Sequence, residues 1–215
     1  MNGAGSRPPG GDKSVRPPVR ALLLDADGVV QRPAKGWISA WRSVGGADFL
    51  DEIWRCETAA LTGRADLKPL VTKVLEERDV DVTFDDLVEL WCQIDVDDHM
   101  LDLVDGVRAH GLLTVLATNQ QSYRGTWMLE NLPYDDHFDA QFHSFRMGLA
   151  KPDPAYFAHI VEELGIEPAE AVFVDDMPAN VTGARAAGLR AVHFSPLDTY
   201  GDLRLRLRDL GVPGI

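Results

Sequence analysis

Residues 19–30, VRALLLDADGVV, decide the fold. A short, continuous apolar run that stops at an acidic turn, here at Asp25, suits a strand buried on both faces in the middle of a parallel sheet. Runs of the same kind recur at 112–117 (LLTVLA), 171–174 (AVFV) and 190–194 (RAVHF), with a weaker one at 138–142. Helical patterns lie between them. The first covers 126–132. The second covers 154–164, with Asp153 placed to cap it, Pro154 at its first position and Gly165 closing it. The third covers 180–187 and closes at Gly188. Strands that alternate with helices predict right-handed crossovers and a doubly wound parallel α/β sheet covered on both faces.

Between about residues 31 and 105 this rhythm breaks, and the chain reads as consecutive amphipathic helices. Trp37, Trp41 and Val44 follow helical spacing, as do Leu67, Leu70, Val71, Val74 and Leu75, and then Phe84, Leu87, Val88 and Trp91. A small helical bundle is expected there, with Trp37 and Trp41 in its core. The organisation predicted is an α/β core from 19–30 and 106–215, interrupted by a helical domain over 31–105. Residues 1–18, rich in Gly, Pro and charge, read as a disordered tail.

The chain has 215 residues, 45% hydrophobic and 26% charged, which suits one domain with a modest insertion and excludes global disorder. Its 21 Lys and Arg against 34 Asp and Glu give a net charge of −13, the wrong sign for a nucleic-acid or anionic-membrane partner. Most of that charge sits in residues 48–105, where 17 acidic residues face 5 basic ones, as expected of a solvated bundle surface. No membrane-length apolar run and no signal-peptide core appear, so a cytoplasmic chain is expected. Cys56 and Cys92 lack CxxC spacing or a neighbouring His cluster and read as small buried hydrophobes.

Four segments place reactive residues directly after apolar runs or at helix entrances, where open α/β sheets carry their ligands. They are Asp25-Ala26-Asp27-Gly28, Thr118-Asn119, Lys151 in GLAKPDP, and Asp175-Asp176 in VFVDDMPAN, followed by Asn180. An EF-hand over the first is excluded, since the further Asp/Asn ligands and the Glu at loop position 12 are missing. Two adjacent carboxylates beside two more would repel in a partly dry cleft unless a hard cation joined them.

Together these motifs resemble the haloacid dehalogenase superfamily of aspartyl-phosphate-forming hydrolases, with its series hhhDxDG, hhh(T/S)N, a lysine near KPDP, and hhhDDxxxN. Order and spacing fit, with 93 residues from Asp25 to Thr118, 33 on to Lys151 and 24 on to Asp175. The resemblance covers about residues 19–196. The long first gap is where subfamily I inserts a small helical cap. HFDAQFHSFRMGLAKPDPAYF and LTGRADL look most like the members acting on sugar phosphates and other small phosphomonoesters.

That resemblance implies a Mg²⁺-dependent phosphatase, working as a monomer or homodimer on a small phosphomonoester. Asp25 would be the nucleophile, and Asp27 the acid and then the base. The Asp25 carboxylate, the Asp27 carbonyl and Asp176 would hold Mg²⁺, with Asp175 orienting that shell and Asn180 bracing Lys151 or the acidic loop. Lys151, Thr118 and the Asn119 amide would hold the phosphoryl oxygens. The stretch Thr62-Gly63-Arg64 looks like the cap's specificity loop, with Arg64 reaching the substrate. A phosphomutase using the same intermediate and a catalytically idle phosphate-binding protein are the alternatives. The dehalogenase branch lacks the second aspartate of motif one, so Asp27 speaks against carbon–halogen chemistry.

Overall fold

The computed structural model describes residues 17–215, so nearly all of the expected N-terminal tail lies outside the described residues. β1 (Ala21–Leu24) forms at the apolar run, followed by β2 (Gln31–Pro33) and three helices, α1 (Trp37–Ala60), α2 (Leu67–Arg78) and α3 (Phe84–Trp91). β3 (Ile94–Val96) pairs antiparallel with β2, closing the base of that excursion. The chain then runs α4 (Asp98–Ala109), β4 (Leu113–Thr118), α5 (Ser122–Asn131), α6 (Tyr134–His137), β5 (Ala140–His143), α7 (Ser144–Met147) and α8 (Pro154–Glu163). It ends with β6 (Ala171–Asp175), α9 (Pro178–Ala186), β7 (Arg190–His193) and α10 (Tyr200–Asp209).

The main sheet has the order β5-β4-β1-β6-β7, every pair parallel, as its buried strand runs require. Successive side chains of β1 feed opposite cores: Leu22 and Leu24 join one cluster with α4 and α10, whereas Ala21 and Leu23 join another with α8 and α9. Both faces are covered, which completes the doubly wound α/β architecture. From β1 the chain crosses to β4 and β5 on one side and to β6 and β7 on the other, so a switch point opens at the carboxyl end of β1.

Helices α1 to α3 build a third cluster around Trp41, Phe49, Ile53, Val71, Leu87 and Trp91. The helical stripes expected for this segment supply seven of its buried residues, Trp41, Leu67, Val71, Leu75, Phe84, Leu87 and Trp91, whereas Phe49, Leu50, Ile53 and Ala60 lie outside them. Trp37 differs: it is half-buried, and its indole N–H donates to the Leu90 carbonyl at 2.6 Å. Gly46, at φ 80°, breaks α1 into two limbs and lets both halves reach one core. Residues 98–105, expected within the helical insertion, instead form α4 and pack Met100, Leu101, Leu103 and Val104 against the sheet. No described helix is long and apolar enough to cross a membrane.

Candidate active site

Asp25 follows the last residue of β1 at the switch point, and its backbone N–H donates to the Val174 carbonyl of β6 at 3.0 Å. Its carboxylate is buried, with Oδ1 accepting from the Ala26 N–H at 2.7 Å and facing Lys151 Nζ at 2.6 Å. The Lys151 ammonium also donates to Asp175 Oδ2 at 2.8 Å. Asn119 fixes that lysine through its main chain. Asn119 Nδ2 donates to the Lys151 carbonyl and its Oδ1 accepts from the Lys151 N–H, both at 2.9 Å. Thr118, fully buried at the end of β4, accepts from Gln120 Nε2 at 3.0 Å.

Asp175 ends β6 fully buried and is saturated by donors. Met177 N–H reaches Oδ1 at 2.8 Å, Asn180 Nδ2 reaches both oxygens at 3.0 Å, and Lys151 takes Oδ2. Asn180 thus braces the acidic loop through Asp175. Asp176 is half-buried and turns toward motif one. Gly28 admits it: at φ +80° and with no side chain, it leaves room where a methyl group would collide with the Asp176 carboxylate.

Oxygens of Asp25, Asp175 and Asp176 lie within 4.8 Å of one another. Burial pushes the Asp25 carboxyl above the usual carboxylate range; Lys151 opposes this, and Asp175 adds to it. Burial and the Asp175 charge likewise raise Asp176. Three carboxylates around one lysine leave surplus negative charge in a dry pocket, the condition a hard divalent cation relieves.

Asp27 has a different setting. Arg124, from the first turn of α5, clamps it with Nη1 to Oδ2 at 2.6 Å and Nη2 to Oδ1 at 2.7 Å. Gln31 and Gln120 donate to the same carboxylate at 2.9 and 2.8 Å. Burial raises Asp27, but Arg124 together with the Gln31 and Gln120 hydrogen bonds outweighs it and holds the carboxyl down at about 2. Arg124 Nε reaches the Trp91 carbonyl at 2.8 Å, so one guanidinium joins motif one to the end of α3.

The structure therefore brings Asp25, Asp27, Thr118, Asn119, Lys151, Asp175, Asp176 and Asn180 to one end of the sheet. Arg64 does not join them. It is exposed and donates to the Gly148 carbonyl at 3.3 Å, because the 61–66 loop leans on α7 and Gly63 abuts the Phe145 carbonyl. Arg124, Gln31 and Gln120 escaped the sequence reading. Helix α5 starts at Ser122 and not at the expected residue 126, since its cap is Gln121, which is not one of the favoured Ser, Thr, Asp or Asn types, and Arg124 falls in its first turn.

A family model for haloacid dehalogenase-like hydrolases matches residues 19–188. Among curated proteins, the chain is similar to a sesquiterpene phosphatase of Aspergillus oryzae, 31% identical over 110 residues, which are 50% of this chain and 56% of that one. It is also similar to a phosphoserine phosphatase of Thermus thermophilus, 35% identical over 108 residues, 48% of this chain and 43% of that one. The chain thus spans about half the length of these relatives. A haloacid dehalogenase family enzyme of Bacteroides thetaiotaomicron, solved with magnesium and inorganic phosphate, shares the fold at a TM-score of 0.73 and 21% identity, over 86% of this chain and 98% of that one. With all four motifs gathered on this fold inside the matched residues, the chain belongs to the haloacid dehalogenase-like hydrolase family.

Proposed function

We propose that the protein is a Mg²⁺-dependent phosphatase of small phosphomonoesters that works through an aspartyl-phosphate on Asp25. The observation that carries this is the convergence of the Asp25, Asp175 and Asp176 carboxylates at the switch point, with the Lys151 ammonium paired to the first two. The phosphatase names of the two curated relatives support it.

The cation fits the residues present, since the Gly28 gap leaves the Asp176 carboxylate room against motif one. Asp25, Asp176 and the Asp27 carbonyl would hold it, whereas Asp175, already saturated by donors, would orient the shell. When bound, Mg²⁺ neutralises the Asp25 charge and that of the phosphate it attacks. Lys151, fixed by Asn119, aims Asp25 and favours its ionised form against burial, and offsets charge on the phosphoryl oxygens. Thr118 and the Asn119 amide hold those oxygens.

Asp25 forms a bond to phosphorus as the ester oxygen leaves, and water then attacks the same phosphorus and frees Asp25. The clamped Asp27 is a carboxylate, the form that takes the proton from that water. Donating a proton to the leaving oxygen in the first step requires Arg124 to loosen its grip. Phosphate release from a phosphomonoester panel, with Mg²⁺ and with a chelator, tests the proposal. It expects release only with the metal; full turnover in chelator, or conversion to an isomeric phosphate with none released, contradicts it.

A further inference from the structure

Beside Asp27 and Arg124 lies a cavity of about 380 Å³. A wall of it comes from one face of α1, where Trp54, Glu57 and Thr58 follow helical spacing that Leu61 continues just past the helix end, and Trp37 and Trp91 line it as well. Three of the chain's five tryptophans therefore surround one space. Two of them are held rigidly. The rings of Trp37, Trp41 and Trp91 form a chain with centroids 5.6 and 4.8 Å apart, and the Trp37 indole is tied to the Leu90 carbonyl. Trp54 is not buried in the helical core and remains 39% exposed, so its ring is free to cover a guest.

The polar groups of this wall have an uneven balance. Arg124 donates to Asp27, Gln120 and the Trp91 carbonyl, and Glu57 is the second carboxyl lining the space, beside Asp27. Burial and the nearby Asp27 charge raise Glu57 to about 7, against the pull of Arg124 and of the Trp91 indole, so a further negative charge in the cavity would meet two acids and a committed guanidinium.

Resting on the phosphatase reading, we infer that this cavity takes the leaving group, and that the group is flat, largely apolar, equipped with a hydrogen-bond donor for Glu57 and free of negative charge. Flat rings gain from stacking on tryptophan, whereas a polyol would leave its hydroxyls against apolar faces without partners. A carboxylate-bearing leaving group is repelled. The volume suits a group of one or two rings.

Three esters with comparable alkyl-type leaving oxygens test this: 3-hydroxybenzyl phosphate, 3-carboxybenzyl phosphate and glycerol 1-phosphate. The expected kcat/KM order is hydroxybenzyl first by at least tenfold, then glycerol, then carboxybenzyl. Trp54→Ala should lower kcat/KM for the hydroxybenzyl ester at least tenfold more than for glycerol 1-phosphate. Glu57→Gln, which keeps the shape, should narrow the gap between the two benzyl esters at least tenfold by improving the carboxylate. Melting curves of both variants separate these effects from misfolding. Release of phosphate with glycerol 1-phosphate preferred, or with both variants slowing all three esters equally, overturns the inference while the phosphatase reading stands. No release from any ester overturns both.

Discussion

Both carboxylate oxygens of Asp27 are held by the two terminal nitrogens of Arg124, at 2.6 and 2.7 Å, while the third nitrogen of that guanidinium grips the Trp91 carbonyl. A planar fork of this kind is stronger and more directional than a single ion pair. It ties the orientation of Asp27 to the seating of the helical layer over the sheet.

This clamp has a thermodynamic signature. Asp27 is held at about 2 against an ordinary 3.8, so its contribution to stability is present above pH 4 and disappears as pH falls toward 2. Arg124→Ala should cost about 1 to 3 kcal/mol at neutral pH, less than a fully buried pair because the Asp27 side chain is 40% exposed. The difference in melting temperature between variant and wild type should shrink as pH falls from 4 to 2. A constant difference across that range would show that Arg124 acts through packing.

Asp25 has the opposite sign. Its carboxyl is raised by burial, so the metal-free folded chain keeps a proton that the unfolded chain releases, and stability should fall as pH rises above about 4. Mg²⁺ competes with that proton. Its stabilisation should be larger at pH 8 than at pH 5, with about 2.7 kcal/mol at a concentration one hundred times the Kd. Thermal melts at both pH values check this, and an equal shift at both would place the cation away from Asp25.

Gly28→Ala sets a methyl group against the Asp176 carboxylate at a backbone φ of +80°. The Mg²⁺ concentration for half-maximal activity should rise at least tenfold, a factor that corresponds to about 1.4 kcal/mol. Titration of activity against Mg²⁺ reads it directly; an unchanged midpoint would remove Asp176 from the metal shell.

Asp27→Asn keeps the main-chain carbonyl but removes proton transfer, usually worth about 10² to 10⁴-fold. Single-turnover rates should fall more for an alkyl phosphate, whose alkoxide leaves poorly, than for an aryl phosphate. Equal losses on both would confine Asp27 to binding.

The sheet and the four motifs were legible because the relevant apolar runs are short, continuous and ended by a polar residue, as with Leu24 before Asp25 and Val174 before Asp175. The helical stripes were legible for the same reason of period. What stayed hidden has physical causes. An i, i+4 pair such as Trp37 and Trp41 looks alike whether a ring faces a core or a cavity, and only Trp41 is fully buried. Arg124 meets Asp27 across 97 residues, a pairing that no local pattern announces. Helix α10 went unread because its leucines, Leu203 and Leu207, are interleaved with arginines that reach outward. Nothing local in LTGRADL sets the direction of Arg64, and the packing of its loop on α7 turns it to the Gly148 carbonyl.

If Asp25 carries the phosphoryl group, it is covalently modified once in each turnover. Acid quench within one turnover of a phosphomonoester with Mg²⁺, followed by mass spectrometry of the peptide containing Asp25, tests it most directly. A phosphoryl adduct on Asp25 should rise, decay with product release and never form in Asp25→Asn. Phosphate release with no adduct at any time, or an adduct that persists in Asp25→Asn, would contradict it.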